Sequence, residues 1–486
     1  MKTINKIFFL NAVLIALSLF VSGCSDFLEV TSDKELSDQN ALEEIGDFDM
    51  ATLAVYESMR SEYYEGLFNR IVVDAMSDNM VVNYEGRKTY SEFADFAFSS
   101  NTYGLESFWL QAYNAILSTN AVIEKLETDN KFVGTGDEVQ SKNLLGECLV
   151  LRGYIHFELV RAFATNYKDA TDNALGIPYK TSTEVTTPSR NTVKEVYIYA
   201  IADMENGIKM MEPAYNAKNN ARLNIKSASA LLARVCLTKG EDAKAIQYAT
   251  AAIKGDGTDL CEPDNFESLF SVSMSVPEVL FRLAVVAADD FQPGAAWGQG
   301  SEQSYKSEYC VSYSLGQLYK ETDCRNSEVK KVALEDKQYL VPWKYNGRTK
   351  EAQGGVVDIS MVRVAEMYLT RAEAYYNSSN PVGALKDLNY VRAKRYTDYV
   401  EGTETGKSLE NAIQLERRLE LAFEGDRFYT LKRRGENVVR DGKGHYADGT
   451  GNPAAKQEIL ASSPYYLLAI PQSEINANPN MEQNKY

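Results

Sequence analysis

Apolar positions recur at three- and four-residue spacing through much of the chain, which is the pattern of amphipathic helices. The pattern predicts a first helix near 45–62, and it is strong in four later segments, 109–126, 144–164, 193–211 and 227–254. Apolar residues are denser in the second of these four than in the first, so we expect that helix to be more buried. The chain is therefore predicted to be mainly α-helical.

Small residues mark two predicted helical hairpins. Ala233 and Ala245 stand twelve residues apart, and Ala372 and Ala384 repeat that step later in the chain. Small side chains at fixed offsets let paired helices approach closely, as they do in tetratricopeptide repeats. We expect an irregular set of such helix pairs, and two ordinary helical hairpins are the alternative.

The segment 263–355 has a different character. Short β-prone runs such as EVLFRLAVVAA and YLVPWKY alternate there with loops that are rich in Gly and Gln and contain aromatic residues. A long loop-rich insertion in a helical protein is a common position for a binding site. We predict an N-terminal helical region over 46–260 and a C-terminal region over 261–486 that contains this insertion.

The first residues have the features of an export signal. Two lysines precede an apolar run of 15 residues that leads into Val-Ser-Gly-Cys24. The run is shorter than the roughly 20 residues that cross a membrane, and its length suits a signal peptide. The ending resembles a bacterial lipobox, so residues 1–23 are predicted to be a lipoprotein signal peptide and 24–45 a tether. Cys24 would carry the acyl chains (palmitate), and Ser25 after it resembles an outer-membrane sorting signal. An ordinary signal peptide with a chance cysteine is the alternative.

Composition narrows the possible functions. The formal net charge of −17 argues against a nucleic-acid partner, because phosphate binding requires a basic surface. With two histidines and scattered cysteines, no zinc site can be assembled, and no metal ligand is predicted. His156, Cys148 and Cys236 lie in apolar helical patterns and are predicted to be core residues.

The stretch ERRLELAFEGDRFYTLKRRG raises the question of catalysis. Glu416, Glu420 and Glu424 are four residues apart, so a helix would place them on one face, where like charges repel. A glycosidase acid needs a raised pKa, whereas an arginine partner lowers the pKa of a carboxyl group. Arg417 and Arg427 each stand three residues from one of these acids. We therefore predict a structural role for the glutamates and no catalytic residue.

The same stretch resembles the signature of the SusD/RagB family of outer-membrane nutrient-binding lipoproteins. Further segments resemble that family in the family's order: the lipobox followed by SDFLEV, ECLVLRGYIHFELVRAFA (147–164), ALLARVCLTKGEDAKAIQYA (230–249), MVRVAEMYLTRAEAYYNS (361–378) and AIPQSEINANPNMEQN (469–484). Together they span nearly the whole chain after the signal peptide, which makes the resemblance specific.

The resemblance implies a mainly α body of four tetratricopeptide-like helix pairs, with a ligand-binding face of inserted loops and a few short β-strands. Family members lie on the cell surface and cap a SusC-like TonB-dependent transporter in the outer membrane. They capture oligosaccharides, or in some members peptides, for import. The resemblance implies no cofactor and no catalysis. A surface glycoside hydrolase and a purely structural repeat scaffold are the competing classes.

Two stretches, 78–103 and 290–309, combine aromatic rings with polar side chains. This combination suits a sugar, because its C–H face stacks and its hydroxyl groups form hydrogen bonds. The candidate ligand contacts are Asn79, Asn83, Tyr84, Arg87, Tyr90, Phe291, Gln292, Trp297 and Tyr305. The ring of Trp297 is flanked by small residues and is expected to be uncovered. For each aromatic residue, ordinary packing is the alternative. The chain has 3 Trp and 31 Tyr, which leaves peptide binding open.

Overall fold

The computed structural model describes residues 42–255, 257–271, 276–289, 291–297, 307–346 and 355–486. Residues 48–486 form one compact unit. Of the residues before this unit the structure describes only 42–47, and the first helix begins within that segment. The predicted signal peptide, the predicted lipidation site Cys24 and nearly all of the predicted tether lie outside the described residues.

Ten helices of eight or more residues form the body of the described chain. They are α1 Ile45–Arg60, α2 Leu105–Thr128, α3 Glu138–Phe163, α4 Val193–Met210, α5 Ile225–Lys239, α6 Asp242–Ile253, α7 Val364–Asn377, α8 Pro381–Ala393, α9 Gly406–Glu420 and α10 Arg427–Arg434. All five helical segments expected from the apolar periodicity are present, and the mainly α class is confirmed. The segment 227–254 is two helices, because Gly240 adopts a left-handed conformation (φ +89°) that ends α5.

The strands are short and pair two by two. They are β1 Met80–Val82, β2 Val279–Leu283, β3 Tyr309–Val311, β4 Val329–Leu334, β5 Lys337–Pro342, β6 Ile359–Arg363, β7 Val438–Val439 and β8 Glu458–Ile459. The antiparallel pairs are β1–β3, β2–β6, β4–β5 and β7–β8. Both β-prone runs quoted from the insertion contribute a strand, β2 and β5.

Short turns connect these elements. Helical turns occupy Val73–Ala75, Ser91–Ala94, Ser268–Ser271, Pro293–Trp297, Tyr313–Gly316 and Gln472–Ala477, and 3₁₀ turns occupy Pro263–Asn265, Cys324–Glu328 and Pro464–Tyr466. Two π-helical turns, Glu62–Gly66 and Phe68–Val72, follow α1.

Helix pairs pack through small residues. The pairs α5–α6 and α7–α8 are the two hairpins expected from the alanine spacing, and Ala233, Ala245, Ala372 and Ala384 are all buried. Between α3 and α4 the approach is closer still, since a Cβ atom on Gly207 would lie 2.3 Å from a backbone oxygen of α3. Only glycine fits there.

Helix α3 is buried along most of its length, more so than α2, as its apolar density indicates. His156 on this helix is a core residue, as predicted. Its Nδ1 donates to the carbonyl of Arg152 (2.8 Å), its Nε2 accepts from the backbone N–H of Lys180 (2.9 Å), and burial lowers its pKa to about 3. Cys148 and Cys236 are also buried, as expected. Within the described ranges, no helix combines the length and apolar content that crossing a bilayer requires.

Candidate functional site

Strands β1 and β3 bring the two candidate stretches together. They pair in antiparallel register from Met80 opposite Val311 to Val82 opposite Tyr309. The hydroxyl group of Tyr309 also donates to the carbonyl of Thr89 at 2.6 Å. The described residues directly after β1 and directly before β3 are therefore brought together, although Thr89 and Tyr309 are 220 positions apart in the sequence.

Three tyrosines form an aromatic cluster beside this strand pair, in which Tyr103 is exposed, Tyr63 is half-buried and Tyr90 is buried. We call Tyr63, Tyr90 and Tyr103 the tyrosine surface. Tyr103 is 61% exposed, and its ring stacks on the ring of Tyr90 with centroids 5.5 Å apart and planes inclined by 20°. Tyr63 meets Tyr103 edge to face, and the two hydroxyl groups are 3.0 Å apart. An uncovered ring supported from behind is the arrangement that stacks on a flat ligand.

The backbone around Tyr90 is held in an uncommon conformation. Tyr90 has φ +59°, a left-handed value that is a rare conformation for a bulky residue. Gly104, at φ +87°, lies so close that a Cβ atom there would be 2.5 Å from Cε1 of Tyr90. Strained backbone of this kind concentrates at functional sites, where the surrounding structure holds it in place.

A charged edge borders the tyrosine surface. The Arg87 guanidinium donates to Glu308 Oε1 from Nε (2.9 Å) and Nη2 (2.5 Å), while its side chain stays 65% exposed. Burial raises the pKa of the Glu62 carboxyl group. The positive charge of Arg87 lowers this pKa and the negative charge of Glu308 raises it, so the three charged groups are close enough to interact. The site thus offers an aromatic face beside hydrogen-bonding groups of both signs.

Two of the predicted contacts are buried in supporting positions. Asn83 donates from Nδ2 to the carbonyl of Ser307 at 2.9 Å and so ties the β1 loop to the β3 loop. Asn79 is fully buried, and its Oδ1 accepts from Nε of Arg418 at 2.9 Å. Both amides are therefore buried against other parts of the chain rather than turned toward solvent.

Three other predicted contacts are half-buried or partly exposed. Tyr84 is half-buried and donates its hydroxyl proton to Asp95 at 3.0 Å. Phe291 is half-buried against the core, close to Gly66 of the first π-helical turn. Gln292 is partly exposed, and its amide lies 3.4 Å from the carbonyl of Ala287. Tyr305 lies outside the described residues.

The expectation that Trp297 has an uncovered ring is wrong. Its exposed fraction is 2%, and its indole stacks on Tyr345 with centroids 5.1 Å apart and planes inclined by 10°. Phe423 packs edge to face against the same ring, 5.9 Å away. The small neighbours of Trp297 let the indole turn inward against residues that are distant in the sequence.

The glutamates of the signature stretch have other partners than predicted. Arg417 pairs with Asp426 and Arg427 with Asp78. Helix α9 ends at Glu420, so Glu424 does not share its helical face. The expected local pairing is wrong, because these acids pair instead with arginines from distant parts of the chain: Arg325, Arg363 and Arg395.

Glu420 is the centre of a buried charge network. Its two oxygens accept from Arg363 (2.7 Å), from Arg395 (2.9 and 3.0 Å) and from Arg325 (3.3 Å). Burial alone would raise its pKa, but Arg395 and Arg363 hold the pKa well below the usual range. A carboxyl group that stays ionised in this way cannot act as a general acid.

The two neighbouring glutamates are paired in the same manner. Glu424 accepts from Arg363 (2.6 Å) and Lys344 (2.8 Å), and these cations overcome the effect of burial and lower its pKa to about 2. Glu416 lies 2.5 Å from Arg325 and 3.2 Å from Arg392. The arrangement is that of a structural ion-pair network. In the described part of the chain, no group of His, Cys, Asp and Glu is placed to hold a metal ion.

The sequence reading missed several members of the site. Tyr63 and Glu62 were not singled out, although the run Ser-Glu-Tyr-Tyr-Glu-Gly directly after α1 combines aromatic and acidic residues as the two chosen stretches do. Tyr103 ends one of those stretches and precedes Gly104, whose missing side chain makes room for the stack. Glu308 lies within the second of those stretches, 290–309, but no local pattern distinguishes it from its neighbours.

Two family models match the chain. The model described as "SusD family" matches residues 291–486, and the one described as "Starch-binding associating with outer membrane" matches residues 26–237. A curated relative, SusD-like protein P2 of Formosa agariphila, is 23% identical over 97% of this chain and 98% of its own length.

Solved structures have the same fold. A SusD superfamily protein from Bacteroides thetaiotaomicron superposes with a TM-score of 0.82 at 24% identity, covering 91% of this chain and 100% of its own. A protein from Bacteroides vulgatus described as a putative sugar binding protein gives a TM-score of 0.80 at 28% identity, covering 91% of this chain and 99% of its own.

Proposed function

Since the chain belongs to the SusD/RagB family, we propose that it is a cell-surface lipoprotein that binds nutrient oligosaccharides and delivers them to a SusC-like TonB-dependent transporter for import. In this proposal the body is anchored in the outer membrane through Cys24. The protein binds its ligand and catalyses no reaction on it.

The observation that supports this proposal most directly is the tyrosine surface. Tyr103 exposes 61% of its area although it is one of the larger apolar side chains, and Tyr90 supports its ring from behind. A sugar ring stacks on such a face through its C–H groups, while Arg87 and Glu62 beside it suit the hydroxyl groups. The printed description of the B. vulgatus relative, a putative sugar binding protein, supports the same ligand class.

Among the contacts first predicted from sequence, Tyr84, Arg87, Phe291 and Gln292 stay in the proposed ligand region, while Tyr305, which lies outside the described residues, stays a prediction from the sequence. Trp297, Tyr90, Asn79 and Asn83 are proposed to act from beneath, by holding the exposed groups in place. This division follows from burial, since a side chain without exposed area cannot stack on an incoming ligand.

The test is binding of Tyr103→Ala to an oligosaccharide that the wild type selects from a glycan array. Loss of one stacking face should weaken binding about five- to tenfold, with little change in melting temperature because the ring is mostly exposed. Tyr199→Ala is the matched control, since Tyr199 is 43% exposed on α4. Equal affinities of the wild type and Tyr103→Ala for the selected glycan would refute this location of the site.

Oligopeptides are the alternative ligand. A peptide array screened in parallel separates the two classes, because the proposal expects saturable binding on the glycan array alone. If the wild type released reducing ends from a bound glycan, the alternative of a surface glycoside hydrolase would be favoured instead.

A further inference from the structure

The strained backbone beside the tyrosine surface is centred on Thr89. Lys88 and Tyr90, the residues on either side of it, both have left-handed conformations, with φ values of +60° and +59°. Residues with a side chain rarely adopt this conformation, because it brings the Cβ atom too close to the following carbonyl oxygen. Two such residues within three positions require contacts from elsewhere in the fold that hold them there.

Both polar groups of the Thr89 backbone have side-chain partners at the start of β3. The N–H group of Thr89 donates to Oε2 of Glu308 at 3.0 Å, and its carbonyl oxygen accepts from the hydroxyl group of Tyr309 at 2.6 Å. We call this arrangement of Glu308 and Tyr309 around Thr89 the peptide clamp. It fixes the two peptide groups that connect Thr89 to its left-handed neighbours.

The two clamp residues stand on a rigid support. Tyr309 pairs with Val82 in the β1–β3 strand pair, and the backbone N–H of Asn83 donates to the carbonyl of Glu308 at 2.9 Å. The exposed fractions of Glu308 and Tyr309 are 8% and 4%, so packing restricts both side chains. Burial also raises the pKa of the Tyr309 hydroxyl group well above its usual value, so this group stays a proton donor.

Glu308 divides its two oxygens between two partners. Oε1 accepts from the guanidinium group of Arg87, and Oε2 is the oxygen that holds Thr89. The charge of the buried carboxylate is thus compensated by a cation two residues before the clamped backbone. A neutral amide at this position has one accepting oxygen and could serve Arg87 or Thr89 but not both.

We infer that Glu308 and Tyr309 are positioning residues for the tyrosine surface, because they hold Tyr90 in its left-handed conformation with its ring against that of Tyr103. Release of the peptide group directly before Tyr90 would let its φ angle return to negative values and would turn the ring away. Tyr103 would then lose the support behind its stacking face. The consequence for ligand binding rests on the proposed function.

The clamp itself is tested without a ligand. Tyr309→Phe removes one hydroxyl group and Glu308→Gln removes one accepting oxygen, and since neither change opens a cavity, both variants should fold. Hydrogen exchange of a fragment that contains Thr89 should quicken about fivefold in each variant, the equivalent of one hydrogen bond. A crystal structure of the protein with both changes should show Tyr90 with a negative φ angle. Unchanged exchange in both variants, or an unchanged φ angle, would overturn the clamp.

The positioning role is tested with the glycan that the wild type selects. Tyr309→Phe should weaken its binding about three- to fivefold. The same change in protein that already carries Tyr103→Ala should weaken binding by less than about twofold further, because the clamp acts through the stack. Tyr113→Phe is the matched control, since the hydroxyl group of Tyr113 on α2 donates to the carbonyl of Pro178 at 2.8 Å. This variant loses the same kind of bond and should bind the glycan like the wild type.

The outcomes distinguish failure of the clamp from failure of the proposed function. Faster exchange with unchanged glycan affinity in Tyr309→Phe would refute the positioning role, although the hydrogen bonds would be real. Equal losses with and without Tyr103→Ala would show that the hydroxyl group acts by another route, which refutes it as well. If the wild type bound no glycan, the proposed function would fail, while the exchange rates and the φ angle of Tyr90 would still decide whether the clamp exists.

Discussion

Substitution of Glu420 by Gln tests the buried charge network most sharply. The side chains of Glu420, Arg363 and Arg395 have no exposed area, and Glu420 accepts four hydrogen bonds of 2.7–3.3 Å from three guanidinium groups. The amide keeps the shape of the carboxyl group but removes its charge and turns an N–H group toward donors. Positive charge would then be left buried without sufficient compensation.

The expected loss of stability is large. Removing one partner of a buried ion pair costs about 3–5 kcal/mol, against a total unfolding free energy of about 5–15 kcal/mol for a folded protein. For a chain of this size the melting temperature of Glu420→Gln should fall by about 3–5 °C. Calorimetric or circular-dichroism melting of the purified protein measures it.

Glu138→Gln is the matched control, since it makes the same chemical change in an exposed pair with Lys142 on α3. Its melting temperature should hardly change, because exposed pairs contribute little. Affinity for the selected glycan, measured on folded Glu420→Gln protein, should equal that of the wild type. If Glu420→Gln and Glu138→Gln melted at the same temperature, the structural role of the network would be refuted. If the wild type cleaved a glycan and Glu420→Gln did not, Glu420 would be assigned to catalysis.

Four further predictions follow from other parts of the structure. Trp297→Ala should lower the unfolding free energy by about 3–5 kcal/mol, because it leaves a cavity against Tyr345, and unchanged thermal melting would contradict this. Gly104→Ala should weaken glycan binding and lower the melting temperature together, since its Cβ would displace the tyrosine stack; a crystal structure with the stack intact would show otherwise. Because the pKa of Glu424 is lowered to about 2, its stabilisation is complete above the unfolded value of about 4.3 and is lost as the pH falls toward 2, so urea midpoints should drop over that range. Cys24→Ala should abolish labelling by a clickable fatty acid and release the protein from the membrane fraction, and undiminished labelling would remove the anchor assignment.

The sequence by itself determined the local elements and the family. Apolar periodicity predicted the helices, because a helix that buries one face has an apolar residue at every third or fourth position. The alanine spacing marked the hairpins α5–α6 and α7–α8 for a similar reason, since close helix contact excludes large side chains. Several ordered segments together identified the family, although each alone was weak.

Only the tertiary structure decided which side chains are covered and which charges meet. Trp297 reads as exposed from its small neighbours, yet Tyr345 and Phe423 cover it from 48 and more residues away. The acids of the signature stretch sit near local arginines in the sequence, but Glu420 pairs with guanidinium groups 25–95 residues distant. Burial and ion pairing depend on contacts between segments far apart in the chain, and spacing along the sequence carries no record of those contacts.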